Sequence, residues 1–116
     1  MKSYVERAAS RRKIAESRRR ESLRSEARRL AKLLEDEGFV FLRVYLWGST
    51  VRNKPLSPWS DIDLVIEGLA PELFFKAYAS VLKKTGHPVD LIPLEEMEEA
   101  VRDKLEREGE VIYEKR

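Results

Sequence analysis

From residue 4 to residue 37 the chain has neither proline nor glycine and is dominated by Arg, Ala, Glu, Leu and Lys, all strong helix formers. Ser3 stands where an N-cap belongs and Gly38 where a helix is usually terminated. Leu23, Ala27, Leu30 and Leu34 recur at the spacing of a buried helical stripe. The first half offers only Val5, Ala8, Ala9, Ile14 and Ala15 among many charges. The second half is therefore expected to pack on the rest of the molecule and the first half to project. Unbroken, such a helix is roughly 50 Å long.

Beyond Gly38 the pattern shortens. Residues 39–47 are β-branched and aromatic and read as a strand ending at Gly48. A polar stretch with Asn53, Pro55 and Pro58 reads as a loop. Residues 61–66 form a second strand closed by Gly68, and 71–84 a helix with Pro71 in its first turn, where a missing N–H costs nothing. Its apolar set is Leu73, Phe74, Ala77, Val81 and Leu82. Residues 89–92 make a third strand. Residues 94–108 make a last helix with Met97, Ala100, Val101 and Leu105 on one face, and 111–113 a short final strand. The order predicts an α/β fold, one sheet with helices on one face and the other face open. It divides the chain into a helical arm, 1–37, and a body, 38–116.

Side-chain alternation along strands then places the carboxylates. If Ile62, Leu64 and Ile66 face the helices, Asp61 and Asp63 share the open face. By the same parity Val89 and Leu91 face inward and Asp90 points outward. Three carboxylates so gathered repel one another unless a cation compensates them. Oxygen ligands without His or Cys favour Mg²⁺, which keeps positions open for substrate phosphates. Gly48-Ser49 directly follows the first strand, so its backbone N–H groups can approach an anion, with Arg52 and Lys54 close by. These are the parts of phosphoryl or nucleotidyl transfer, with Asp90 as the candidate base.

Charge alters this picture more than composition does. The net charge of +2 over 116 residues hides two opposite halves. Residues 1–34 hold 12 Lys or Arg against 4 Glu, a net of +8, and residues 35–116 hold 11 basic against 17 acidic residues, a net of −6. The arm is expected to meet something acidic: nucleic acid, a partner protein or the body of a neighbouring copy. A solvated helix laced with ion pairs is the plainer alternative. The chain has no cysteine, which excludes disulfides and thiolate metal sites. It also has no apolar run long enough to span a bilayer, so a soluble, cytoplasmic protein is expected.

The stretch Val44-Tyr45-Leu46-Trp47-Gly48-Ser49, followed after eleven residues by Asp61-Ile62-Asp63-Leu64, resembles the signature of the DNA polymerase beta-like nucleotidyltransferases. With Val89-Asp90-Leu91 as the third acidic strand, the short format is similar to the minimal nucleotidyltransferases, antitoxins of HEPN/MNT toxin–antitoxin pairs. The resemblance covers about residues 38–113 and leaves the arm outside. It implies a small mixed sheet of the polymerase beta-like fold, two Mg²⁺ ions, ATP as substrate, and adenylylation of a tyrosine on a HEPN RNase toxin. It further implies Gly48 and Ser49 as the phosphate-binding pair, Asp61 and Asp63 as metal ligands, and Asp90 as third carboxylate and base.

Relatives often carry Arg directly after Gly-Ser and Gly after a second arginine, where this chain has Thr50 and Asn53; Arg52 matches the second basic position. The departures bear on triphosphate affinity and nucleotide choice and leave the carboxylates intact, so catalysis is expected. The alternatives are a non-catalytic module that masks its partner, a nucleic-acid-binding protein using the arm, and transfer to a small molecule. A homo-oligomer joined through the arm is a further expectation. His87 reads as a turn residue and Trp59 as a stacking or packing residue. Tyr4, Tyr45, Tyr78 and Tyr113 are unranked candidates for self-modification.

Overall fold

The computed structural model describes residues 3–48 and 61–115. Helix α1 runs unbroken from Tyr4 to Asp36, with the Ser3 hydroxyl accepting from the Glu6 N–H at its start. It stops where Gly38 takes φ +93°. There Phe39 N–H bonds to Leu34 C=O and Gly38 N–H to Glu35 C=O, a Schellman closure that satisfies the last carbonyls. Leu23, Ala27, Leu30, Ala31 and Leu34 are buried, and no described residue of the helix before Leu23 is.

Strand β1 spans Arg43–Trp47, shorter than the apolar run suggests. Phe41 leaves the ladder to plug the core, its ring 4.8 Å from that of Tyr113. Strand β2 spans Ile62–Glu67, helix α2 Phe74–Lys84, strand β3 Val89–Pro93, helix α3 Glu99–Glu108 and strand β4 Glu110–Glu114. Pro71–Leu73 is a 3₁₀ turn ahead of α2. A second, Leu94–Glu96, breaks the expected last helix at Met97. The Arg102 guanidinium donates to Glu95 O and Met97 O at that break, supplying its carbonyls with partners.

The four strands lie in the order β3-β2-β1-β4. β1 is antiparallel to both neighbours, and β2 and β3 are parallel, as a βαβ crossover through α2 requires. The main core joins Leu23, Leu30 and Leu34 of α1 and Ala77 and Val81 of α2 to Val44, Leu46, Ile62, Leu64 and Ile66 of the sheet. Leu73 and Leu82 belong instead to the exposed side of their segment.

Helices on one face describes α1 and α2. The opposite face is not wholly open, because α3 lays Leu105 over Tyr45 and Val65, with Met97 and Ile92 beside them. Val65 and Leu105 are both fully buried, while Ala100 and Val101 of α3 are exposed. What stays uncovered on that face is the end where Trp47, Asp63 and Asp90 stand, none of them buried.

Candidate active site

Strand register brings two of the carboxylates side by side. Asp63 of β2 is the direct partner of Asp90 of β3 across the parallel ladder and of Trp47 of β1 across the antiparallel one. Directly paired residues point to the same face, and neighbouring strands lie about 4.8 Å apart. The inward positions Ile62, Leu64, Ile66, Val89 and Leu91 are buried in the main core, which turns Asp63 and Asp90 to the other face. Asp61 sits just before β2, exposed and two positions from Asp63.

Gly48 ends β1 with φ +81°, a conformation L side chains rarely adopt. A Cβ at this position would also collide with Oδ2 of Asp63. The glycine is thus required twice, by its backbone and by the carboxylate against it, and its main chain lies beside the Asp63 oxygen.

Asp90 has a partner that the sequence did not single out for it. The Tyr78 hydroxyl of α2 lies 3.2 Å from Asp90 Oδ1 and 3.1 Å from Val89 O, and its one proton can serve either acceptor. Partial burial and then the negative charge of Asp90 raise the Tyr78 phenol above its ordinary pKa, and Asp61 adds in the same direction. Asp61 and Asp90 thus act on the same hydroxyl. A tyrosine one helical turn ahead of Val81 was the available signal. The helix–strand contact that carries its hydroxyl to Asp90 is a tertiary feature.

Among the described residues no group of three or more His, Cys, Asp and Glu side chains forms a ready-made cation site. Three bare carboxylates brought together would repel one another. The all-oxygen donor set, the Asp63–Asp90 register and the side-chain-free Gly48 backbone fit a hard divalent ion with a phosphate beside it. Ser49, Thr50, Arg52, Asn53, Lys54 and Trp59 lie outside the described residues. His87 is exposed, its backbone N–H bonded to Thr85 Oγ1.

Residues 28–116 match the family model described as polymerase beta, nucleotidyltransferase, and the chain belongs to that family. Among solved structures it is similar to a toxin–antitoxin complex crystallised with AMP-PNP, with a TM-score of 0.62 and 20% identity over 78% of this chain and 74% of that one. It is similar to the toxin–antitoxin MntA-HepT, with a TM-score of 0.57 and 18% identity over 78% and 71%. A structure described as a minimal nucleotidyltransferase gives a TM-score of 0.56 and 25% identity over 78% and 92%. No curated protein matches the sequence. No described helix is long and apolar enough to cross a membrane.

Proposed function

We propose that the chain is a Mg²⁺-dependent adenylyltransferase that moves AMP from ATP to a tyrosine of a partner toxin of the HEPN class, and so acts as that toxin's antitoxin in the cytoplasm. The observation that carries this reading is the pairing of Asp63 with Asp90 beside Gly48. The family match and the likeness to toxin–antitoxin structures support it. Asp61 and Asp63 would hold the metal, with Asp90 as third ligand. When bound, Mg²⁺ supplies charge neutralisation for the triphosphate.

The chain's own groups do the rest. The Gly48-Ser49 backbone receives the phosphates, and Arg52 and Lys54 offset the charge of the leaving pyrophosphate. Asp90 takes the proton of the attacking tyrosine hydroxyl. A bond forms between that oxygen and the α-phosphorus as the bond to pyrophosphate breaks. Residues 38–116 act as the catalytic body and residues 1–37 as an arm.

The test is a transfer assay with ATP, Mg²⁺ and the HEPN-like protein encoded beside this one, read by intact mass on both chains. Wild type is expected to add AMP to the partner, and Asp63→Ala to lower the rate roughly a hundredfold or more. No mass gain, with the partner still bound and inhibited by both proteins, would leave a clamp that works by masking and defeat the enzymatic reading.

A further inference from the structure

The cations of α1 fall into two populations. Those near the body are engaged: Arg24 meets Glu110 at 2.8 Å, Arg28 meets Glu21 and Glu110 at 3.5 and 3.7 Å, and Arg29 meets Glu26 at 2.6 Å. Lys32 meets Glu35 and Asp36 at 3.3 and 3.2 Å. Arg7, Arg11, Arg12, Lys13 and Arg18 are exposed and form no ion pair with a described residue. At roughly 100° per residue, Arg7, Arg11 and Arg18 share a wedge of about 40°, on the side roughly opposite the buried Leu23, Leu30 and Leu34. Arg12 and Lys13 project about 120° and 140° away from that wedge, on other sides of the helix. The three arginines span about 17 Å of helix.

Such a surface suits a polyanion better than a protein. A stable protein interface needs an apolar centre depleted of charge; here the exposed Tyr4 and Ile14 stand about 40° to either side and the arginines occupy the middle. Single-stranded nucleic acid is held largely by stacking on aromatic rings, and Tyr4 is the sole aromatic residue before Phe39. Duplex RNA presents a deep, narrow major groove that a helix does not enter. The B-DNA major groove is about 12 Å wide and admits an α-helix. Phosphates line both its walls, and guanidinium groups bind phosphate with two hydrogen bonds.

The geometry points to a B-form DNA duplex as the ligand of the distal half of α1. It is bound through its phosphodiester backbone by Arg7, Arg11 and Arg18. Binding is independent of base sequence and of the transfer reaction. Three phosphate contacts give a slope of log affinity on log salt of about −2.7, so affinity falls about 40-fold between 50 and 200 mM salt.

The experiment is fluorescence anisotropy of the full chain with a labelled DNA duplex across that salt range. The triple variant Arg7→Ala, Arg11→Ala, Arg18→Ala keeps its helix, because alanine is the best helix former, and circular dichroism checks this. It is expected to bring the slope close to zero and to weaken binding at low salt more than tenfold. Arg28→Ala, which removes a cation already paired with the body, leaves the slope unchanged. Equal slope and affinity in the triple variant, or tighter binding to single strands or duplex RNA, overturns the proposal. So does the absence of DNA binding together with a salt-sensitive dimer that the triple variant dissolves, which would give this surface to a second copy's acidic body.

Discussion

Tyr78 and Gly48 show how single residues prepare the carboxylates without belonging to the sequence motif in the same way. Gly48 is in the motif, and its geometry explains why no side chain is tolerated there: a positive φ and the Asp63 carboxylate both forbid one. Tyr78 is outside it, yet its hydroxyl lies within hydrogen-bonding distance of Asp90 Oδ1. If Asp90 takes the acceptor's proton, Tyr78 is a positioning residue that fixes which way the carboxylate faces. Tyr78→Phe keeps the ring that packs edge-on against Phe74 and removes only the oxygen. It is expected to lower kcat for AMP transfer about tenfold, leave KM for ATP within about twofold, and cost roughly 1 kcal/mol of stability. Steady-state kinetics and urea unfolding on the same preparation read all three. A parallel rise in KM, or unchanged kcat, would make the contact merely structural.

At the scale of elements, periodicity gave most of the fold and tertiary packing the remainder. The stripe Leu23, Ala27, Leu30 and Leu34 is buried as its spacing predicts, and the alternation of Ile62, Leu64 and Ile66 puts Asp63 on the second face. Alternation alone predicts an open second face, yet α3 covers part of it; the unbroken run Leu64-Val65-Ile66 is the pattern of a strand buried on both sides. The break at Met97 depends on Arg102 reaching back to two carbonyls, which spacing cannot reveal. The contact of Tyr78 with Asp90 likewise follows from how α2 lies on β3.

The α1–α2 junction has its own legible chemistry once packed. Arg29 donates to Glu26 and to Lys84 O, and Thr85 Oγ1 donates to Glu26. The Arg29 hydrogen bond is the main cause that holds the Glu26 pKa down to about 2. Because the folded value is depressed, this junction contributes its full stability above the ordinary carboxylate value of 4.5 and loses it as pH falls towards 2. With Arg29 half exposed, screening leaves an effect of order 1 kcal/mol. Glu26→Gln is therefore expected to be less stable than wild type near neutrality and to converge with it in acid. Urea midpoints measured across that window check it; a constant gap at every pH would remove Glu26 from the account.

For the whole molecule, shape and charge tell the same story. The radius of gyration is 16.2 Å and the long axis 58 Å, against about 13 Å for a compact domain of this length. The excess comes from the part of α1 that buries nothing. A segment that makes no core contact adds little to global stability, so removing residues 1–16 is expected to change unfolding free energy by less than about 1 kcal/mol. The shortened helix would begin at Ser17, whose hydroxyl can cap it as Ser3 does in the full chain. Small-angle scattering should show the radius of gyration falling towards about 13 Å, and circular dichroism a loss of helix confined to the deleted turns. Because the deletion leaves Asp61, Asp63, Asp90 and Gly48 untouched, AMP transfer to the partner should persist while DNA binding is lost. Transfer lost together with partner binding, at unchanged stability, would instead make the arm the surface on which the toxin docks. A fall in melting temperature beyond about 8 °C would mean that the arm's first half is held by the body.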